Sequence, residues 1–271
     1  MRDFSGRVAV VTGGASGIGL GTARAFARAG MSVALLDIRS DTLDKAVAEV
    51  ASLGARAIGI ETDVARRDSV EAAAEKIEFG RIHIVMNNAG VVVRGIPMHE
   101  TDDETWNWVL GVNLFGAIHG AQVFVPRIRA HGEGGHLVNT ASLAGFLVGT
   151  RGTGVYTASK FAVVAFSEAL AHDVRGFGIS VSILAPAAVN SSIYTNSARH
   201  RAALGYPNRY AETPPDIAAG MAPDEVGRRV LAAIREERFY IFTHSETRAA
   251  VAERHAAIMA GYDAAEKAGP T

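Results

Sequence analysis

Short unbroken runs of apolar residues recur along the chain, and longer amphipathic stretches separate them. A run of about four to eight apolar residues without polar alternation is typical of a strand that is buried on both faces of a sheet. The runs predict strands at residues 8–11, 33–36, 56–60, 82–86, 136–140, 179–184 and 239–242. The stretches between them predict helices at residues 18–28, 41–53, 68–78, 102–130, 224–236 and around Tyr156 as far as Gly176.

Strands that alternate with helices build a parallel sheet, because each right-handed crossover lays a helix on one face of the sheet. The pattern therefore predicts an α/β fold, in which a doubly wound, mostly parallel sheet of about seven strands carries helices on both faces. The 271 residues suit a single domain. Residues 187–222 are too long for an ordinary connection and are predicted to form a lid, and residues 245–271 are predicted to form a helical tail.

Charge and composition narrow the possible partners. The net charge is −1 and the chain has no block of basic residues, so neither nucleic acid nor a membrane surface is an expected partner. The N-terminal residues lack the pattern of a secretion signal, and no apolar run approaches the length of a membrane span, so the protein is expected to be cytoplasmic. Cysteine is absent and the nine histidines lack the spacing of metal ligands, so no metal is expected.

A glycine-rich segment joins the first predicted strand to the first predicted helix. Glycines there let the backbone approach a pyrophosphate, and the helix N-terminus offers it N–H groups and a positive dipole. The candidate cofactor-binding residues of this segment are Gly13, Ser16, Gly17, Ile18 and Gly19. Their Gly-x-x-x-Gly-x-Gly spacing differs from the Gly-x-Gly-x-x-Gly form, and a plain tight turn is the alternative interpretation.

Asp37 ends the second predicted strand. A carboxylate at this place can accept hydrogen bonds from both hydroxyls of an adenosine ribose, and it repels a 2′-phosphate. NAD is therefore predicted as the cofactor in preference to NADP. Arg39 keeps NADP open as the less favoured choice, and a solvated carboxylate at a strand end is the alternative interpretation of Asp37.

Tyr156 and Lys160 are one helical turn apart, so their side chains share a helix face. An ammonium beside a phenol favours the phenolate and lowers the pKa of the hydroxyl, which predicts a general base. Taken alone, such a pair is more often an ordinary surface pair on an amphipathic helix, and other motifs must decide between the two interpretations.

Further motifs follow the predicted strands in order. They are Asp63 and Val64 after the third strand, Asn88 after the fourth, Asn113 in the long helix and Ser142 after the fifth strand. Together with the glycine-rich segment, Tyr156 and Lys160, they resemble the short-chain dehydrogenase/reductase family over residues 5–245. The resemblance implies a Rossmann-type fold, NAD(P)-dependent hydride transfer at an alcohol or ketone carbon, and a homotetramer.

The resemblance also implies a role for each motif residue. The implied catalytic residues are Asn113, Ser142, Tyr156 and Lys160, and the implied cofactor contacts beyond the glycine-rich segment and Asp37 are Asp63, Val64, Asn88, Tyr156, Lys160, Val189 and Ser191. Tyr156 would exchange the proton of the substrate hydroxyl, Lys160 would lower its pKa and hold the nicotinamide ribose, and Ser142 would donate to the substrate oxygen. Asn113 would support a chain of waters to Lys160. Seen singly, Ser142 is equally explained as a turn residue and Asn113 as a buried amide.

Two departures from the family pattern bear on the pocket. Ala187 follows Pro186 where family members usually have glycine, and the interval from Ser142 to Tyr156 is about one residue longer than usual. Alanine does not readily adopt positive φ, so we expect the backbone beside the nicotinamide to run differently.

Aromatic and apolar residues near the motifs suggest an apolar or ring-bearing secondary alcohol, or the matching ketone, as substrate. They are Phe146, Leu147, Tyr194, Tyr206 and Tyr210, although aromatic residues in a lid also simply anchor it. Residues 186–193 and the region around Tyr240, Thr243 and Arg248 resemble, more loosely, the Cα-dehydrogenases that oxidise benzylic alcohols of lignin-derived aryl ethers. One alternative is a non-catalytic dinucleotide-binding module. Another is an epimerase or dehydratase on an extended version of the fold, and both of these enzymes are disfavoured because the sequence shows no large C-terminal substrate domain.

Overall fold

The computed structural model describes residues 1, 3–149, 152–205 and 212–268. In that part of the chain, seven strands form one sheet, and every neighbouring pair is parallel. The strands are β1 (Val8–Thr12), β2 (Ser32–Asp37), β3 (Ala57–Glu61), β4 (Ile82–Asn87), β5 (Gly135–Thr140), β6 (Ile179–Ala185) and β7 (Tyr240–Phe242). Their spatial order is β3-β2-β1-β4-β5-β6-β7. The predicted α/β fold is confirmed, and the order reverses between β1 and β4, where doubly wound sheets bind ligands beyond their carboxyl ends.

Helices cover both faces of the sheet. The main ones are α1 (Gly17–Arg28), α2 (Ser40–Ala51), α3 (Arg67–Glu75), α4 (Asp103–Leu110), α5 (Gly116–His131), α6 (Gly154–Val174), α7 (Ile193–Ala203), α8 (Pro215–Ala218), α9 (Pro223–Arg235) and α10 (Arg248–Ala268). Successive strand residues point to opposite faces. Thus Ala9 and Val11 pack under α1, α2 and α9, whereas Val8 and Val10 pack under α3, α5 and the end of α6.

The helix predicted at residues 102–130 is not continuous. It divides into α4 and α5 around a π-helical turn, Gly111–Phe115. Asn113 lies in this turn, and its side-chain amide is paired with the backbone of Val91 on both sides, accepting from N–H at 2.8 Å and donating to C=O at 3.0 Å. A π turn inserts one extra residue into a helix and is frequent at functional sites.

Among the described residues, one helical stretch, residues 103–131, is long and apolar enough to cross a membrane by length and composition alone. Within its most apolar window, 50% of the stretch is buried inside the protein. The core helix of a folded domain passes the same test, so this stretch is weak support for a membrane span.

The predicted lid contains two short helices, α7 and α8, within its described part. One side of α7 is docked on the body: the Ser197 hydroxyl accepts the Val92 N–H at 3.0 Å, and Arg201 donates to the Thr105 hydroxyl at 2.8 Å. The lid residues Tyr206 and Tyr210 lie outside the described residues.

The predicted helical tail is α10, and residues 252–267 of it are exposed. Arg254 places its guanidinium 4.8 Å from the ring centre of Phe161 on α6. The rest of the helix extends along the surface with its side chains in water.

Candidate active site

The turn between β1 and α1 is shaped to accept an anion. Ser16, the residue before α1, makes no capping hydrogen bond, and the first turn of the helix carries no acidic residue, so its N–H groups are free to bind a phosphate. Gly13 and Gly17 both have positive φ, at 63° and 51°. A Cβ atom on Gly13 would stand 2.9 Å from the Cα of Ala89. Glycine is therefore required for the turn to lie against the end of β4.

Gly19 serves packing within this turn. A Cβ atom there would lie 2.1 Å from the carbonyl oxygen of Gly13, so only glycine lets α1 approach the loop. Gly19 is buried and is not among the described residues that line the cleft. Gly19 therefore holds the loop and helix together, and its contact with the cofactor stays a prediction.

Asp37 stands at the carboxyl end of β2, 3.0 Å from the N–H of Ala15 and 3.1 Å from the N–H of Arg39, which donate to its two carboxylate oxygens. Burial raises the pKa of Asp37, and the backbone hydrogen bonds oppose that rise. Asp37 lines the cleft, and a carboxylate has about four lone-pair sites, so it can accept a further hydrogen bond there.

A continuous cleft runs from Asp37, past the glycine-rich turn, to Tyr156 and Lys160. Its cavity volume is about 470 Å³. The predicted residues that line it are Gly13, Ser16, Gly17, Ile18, Asp37, Asp63, Val64, Asn88, Tyr156, Lys160 and Ser191.

Val189 was also predicted to contact the cofactor, through its backbone, and this stays a prediction. Its side chain belongs to the apolar core under α1 and α9. Its backbone bridges to Met221. The neighbouring Ala187 is not strained, because Glu237 is the one non-glycine residue with positive φ in the described part of the chain. The Ala187 N–H instead donates to the hydroxyl of Thr243 at 3.2 Å, so the backbone takes a path that alanine can follow.

Sequence reasoning missed the residue that joins β1 to β4 at the cleft. The hydroxyl of Thr12 accepts the N–H groups of Asn88 and Ala89 at 2.8 and 3.0 Å, and the Asn88 side chain donates to the Thr12 carbonyl at 3.0 Å. These bonds fix the two strand ends against each other. The signal for Thr12 was its place as the last strand residue before the glycine-rich segment.

Tyr156 and Lys160 lie on one face of α6, with the ammonium nitrogen 5.7 Å from the centre of the phenol ring. Lys160 is 2% exposed and donates to the carbonyl oxygen of Thr140 at 2.9 Å. Burial lowers the pKa of Lys160 to about 8 and raises the pKa of Tyr156 to about 12. The direction for Tyr156 is therefore opposite to the predicted one, because burial has the largest effect on its pKa and the hydrogen bond with Ser142 opposes it only in part.

Ser142 completes the arrangement on the side of β5. It forms a side-chain hydrogen bond with Tyr156 that opposes the effect of burial on the tyrosine pKa. The Ser142 hydroxyl also accepts the N–H of Ala144 at 3.2 Å and lies 3.4 Å from the carbonyl of Pro186. Ser142 and Tyr156 can therefore reach the same substrate oxygen, which is the geometry that acid–base chemistry needs.

Asn113 lies behind the cleft and does not line it. Besides Val91, it donates to the hydroxyl of Ser159, at 2.9 Å, on the helix that carries Tyr156 and Lys160. A Cβ atom on Gly90 would stand 3.4 Å from the Asn113 oxygen and 3.6 Å from the Lys160 nitrogen. Asn113 thus fixes the loop after β4 to the catalytic face of α6.

The aromatic residue predicted to face the substrate packs elsewhere. Phe146 lies 5.0 Å from Phe242 and 5.9 Å from Tyr240, ring centre to ring centre, and it is not among the described residues that line the cleft. Phe146 packs against residues of β7, so it does not support the prediction of an apolar or ring-bearing substrate.

Three residues with metal-binding groups meet at the amino end of the sheet, far from the cleft: His83, His131 and Glu133, with ligand atoms within 4.8 Å. Nδ1 of His83 accepts the Val8 N–H at 3.4 Å, so its proton is on Nε2, which lies 2.9 Å from the Glu133 carboxylate. Nε2 of His131 faces the Ile82 carbonyl at 2.8 Å. Hydrogen bonds account for this cluster without a metal.

The residues present fit a dinucleotide. The glycine turn and the uncapped helix fit a pyrophosphate, the Asp37 carboxylate fits ribose hydroxyls, and the cleft ends beside an acid–base pair. Fold and site together define a nicotinamide-dependent oxidoreductase.

Comparisons with known proteins give the family. The model of the short chain dehydrogenase family matches residues 7–202. The C alpha-dehydrogenase of Sphingobium sp. (strain NBRC 103272 / SYK-6) is 34% identical over 268 residues, which cover 96% of this chain and 87% of that protein. The 1-deoxy-11-beta-hydroxypentalenate dehydrogenase of Streptomyces exfoliatus is 36% identical over 245 residues, covering 89% and 84%.

Among solved structures, a short chain dehydrogenase/reductase from Burkholderia phymatum in complex with NAD has a TM-score of 0.87 at 37% identity, and the match covers 96% of this chain and 97% of that one. The chain belongs to the short-chain dehydrogenase/reductase family. It is an NAD(P)-dependent oxidoreductase that acts on secondary alcohols. These comparisons give no support to a non-catalytic dinucleotide-binding module.

Proposed function

We propose that the protein is an NAD-preferring dehydrogenase of secondary alcohols that carry a ring beside the carbinol carbon, with Asn113, Ser142, Tyr156 and Lys160 as its catalytic residues. The observation that carries the proposal is the hydrogen-bonded pair Ser142–Tyr156 at the end of the cleft, with the buried ammonium of Lys160 beside it. A bound nicotinamide supplies the hydride acceptor or donor. The protein's own residues supply proton transfer and charge stabilisation.

Tyr156 exchanges a proton with the substrate oxygen. Its raised pKa of about 12 means that the hydroxyl is protonated at neutral pH and ready to donate to a carbonyl oxygen during ketone reduction. During alcohol oxidation it accepts the proton, and the phenolate that forms is stabilised by the nearby Lys160 ammonium. Ser142 donates to the same substrate oxygen and so stabilises negative charge that develops on it.

The preference for NAD rests on Asp37. Its carboxylate lines the cleft at the end opposite Tyr156, where it accepts hydrogen bonds from ribose hydroxyls and repels a 2′-phosphate. Arg39 lines the same part of the cleft, yet its guanidinium is already paired with Asp41 at 2.9 Å. Arg39 is therefore less available to offset the repulsion between Asp37 and a 2′-phosphate.

The ring-bearing substrate is supported by the lid and by one relative. Tyr194, on α7, is half-buried and close enough to Tyr156 to raise its pKa, and its ring packs under the guanidinium of Arg94 at 5.0 Å. An aromatic side chain beside the proton-transfer site favours substrates with a flat apolar ring. The C alpha-dehydrogenase is the relative whose name agrees with a benzylic alcohol.

The test is a panel of benzylic, alicyclic and small polyol alcohols, assayed with NAD and with NADP by the absorbance of the reduced nicotinamide. We expect turnover of the ring-bearing alcohols with NAD. Activity confined to polyols would contradict the substrate class, and equal or better use of NADP would contradict the cofactor preference.

Tyr156→Phe tests the mechanism on the same panel. Removing the hydroxyl should lower kcat by about 10²- to 10⁴-fold, since this is the usual contribution of a positioned acid–base group, while the dissociation constant for NAD stays within about twofold of the wild type. Turnover equal to the wild type would show that another group transfers the proton.

The proposal extends to a cytoplasmic homotetramer, for which the family resemblance and the exposed apolar residues of the tail are the support. Light scattering at working concentration should return the mass of four chains.

A further inference from the structure

The lid helix α7 contacts the adenosine end of the cleft through one residue. Asn196 lines the cleft, and its Oδ1 accepts a hydrogen bond from Arg39 at 2.6 Å. Arg39 follows β2, so this bond joins two segments that are 157 residues apart in the sequence. The bond therefore ties the position of a cationic side chain at the cofactor site to the lid.

The orientation of the Asn196 amide is fixed by its other bonds. Its Nδ2 donates to the hydroxyls of Ser16 at 3.2 Å and Ser192 at 3.1 Å. With both donor hydrogens used in this way, the amide oxygen must face Arg39. Ser16 belongs to the glycine-rich turn, so Asn196 bridges the phosphate-binding loop, the lid and Arg39.

The Arg39 guanidinium is held on its other side by Asp41. Nε and Nη2 of Arg39 donate to the two oxygens of that carboxylate at 3.2 and 2.9 Å, the bidentate geometry that suits arginine. Together with the bond to Asn196, three of the five N–H donors of Arg39 are used. A bidentate grip on a phosphate would compete with both partners.

We infer that Asn196 and Asp41 contribute to cofactor specificity by holding the Arg39 guanidinium away from the position of a 2′-phosphate, so that Arg39 does not offset the repulsion of that phosphate by Asp37. This inference rests on the proposed NAD preference and deepens it. Part of the NAD preference is thus assigned to Asn196, a residue of the lid that acts through Arg39.

The test compares the dissociation constants of NAD and NADP, measured by titration calorimetry, for the full chain and its variants Asn196→Ala and Asp41→Asn. Freeing Arg39 should strengthen NADP binding relative to NAD, and we expect the ratio of the two constants to move about tenfold toward NADP, equivalent to about 1.4 kcal/mol. Steady-state assays should show the change in KM for NADP and little change in kcat.

Two controls test whether Arg39 causes the shift in the ratio of the two dissociation constants. In Arg39→Ala combined with Asn196→Ala the shift toward NADP should disappear. Ser197→Ala removes a different lid contact, the bond to Val92, and should weaken both cofactors alike and leave the ratio unchanged.

An unchanged ratio in both Asn196→Ala and Asp41→Asn would overturn the inference, as would a shift that persists without Arg39. A wild-type protein that prefers NADP would contradict the proposed cofactor instead, and the wild-type ratio reports that outcome separately from the shifts in the variants.

Discussion

Lys160 is a charged group that the fold buries almost completely, at 2% exposure. Burial holds its pKa at about 8, below the ordinary value of 10.5. Between these two pH values the unfolded chain binds one proton more than the folded chain, so the free energy of unfolding rises with pH across this window. Below about pH 8 both states are protonated, and the cost of the buried charge is fully present.

Lys160→Met removes this pH dependence. Relative to the variant, the wild type should gain on the order of 2 to 3 kcal/mol in free energy of unfolding as the pH rises from about 8 to 10.5. Urea unfolding of both proteins at several pH values measures the difference. If the difference stays constant with pH, Lys160 has an ordinary pKa and the charge is hydrated. The variant should also lose turnover, since the ammonium supports Tyr156.

Asn113→Ala tests the buried amide. Without the side chain, the N–H and C=O of Val91 lose their partners in the interior, and an unsatisfied buried group costs about 1 to 3 kcal/mol. We expect a loss of about 2 kcal/mol in the free energy of unfolding together with a lower kcat. The matched control is Asn107→Ala, an exposed asparagine on α4, which should leave both quantities near wild-type values.

Single-residue reasoning from the sequence located Tyr156, Lys160 and Asp37 in the lining of the cleft and Ser142 beside Tyr156, because each stands near the end of a strand or on a face that the periodicity defines. It could not give the direction of the tyrosine pKa, which depends on how far tertiary packing removes the pair from water. The role of Asn196 could not be predicted either, because its partners Arg39 and Ser16 are distant in the sequence and meet it only in the folded protein.

At the scale of elements, hydrophobic patterning located each strand of the described sheet within a few residues, since short apolar runs that alternate with longer amphipathic stretches are typical of a parallel sheet covered on both faces. The π turn at Gly111–Phe115 was missed. Asn113 in this turn pairs with Val91, 22 residues away in the sequence, and a contact of that kind leaves no local pattern in the sequence. The short helices of the lid carry weak periodicity and were likewise expected only as a loop.

The contact between α1 and α9 depends on two glycines. A Cβ atom on Gly227 would lie 2.4 Å from the carbonyl oxygen of Gly21, and one on Gly21 would lie 2.4 Å from the backbone of Pro223. The two helices therefore touch backbone to backbone, and this contact holds α9 against α1, the helix that follows the glycine-rich turn.

Gly227→Ala should force these helices apart. Inserting a methyl group into a tight contact costs about 1 to 3 kcal/mol, and the expected result is a loss of that size in the free energy of unfolding with weaker NAD binding, since α1 carries the phosphate-binding turn. Gly176→Ala is the control, because nothing lies within 4 Å of its Cβ position. Equal stability of the two variants would mean that α1 and α9 separate without cost.

At the scale of the whole molecule, the cleft is made by three parts that are distant in sequence: the ends of β1, β2 and β4, the catalytic face of α6, and the lid helix α7. The lid is docked on both sides, through Asn196 to the cofactor loop and through Arg201 to α4. The two bonds hold α7 in place over the cleft from two different segments of the chain.

The tail helix α10 has no such anchorage along its length. Ile258, Met259 and Tyr262 form one stripe on it and are 44%, 46% and 64% exposed. Most of the stability of a helix in a protein comes from packing of its apolar face, and a stripe of large exposed apolar residues favours contact with another surface. A second copy of the chain provides that surface in the proposed homotetramer.

The double variant Ile258→Glu with Met259→Glu should therefore lower the mass measured by light scattering, because two carboxylates in the stripe oppose its burial against a second copy. Ala260→Glu with Ala264→Glu adds the same charge to the opposite side of α10 and should keep the wild-type mass. The dissociation constant for NAD should be unchanged in both, since the stripe lies outside the described lining of the cleft. A mass unaffected by the first pair would mean that the exposed stripe takes no part in assembly, whatever holds the chains together.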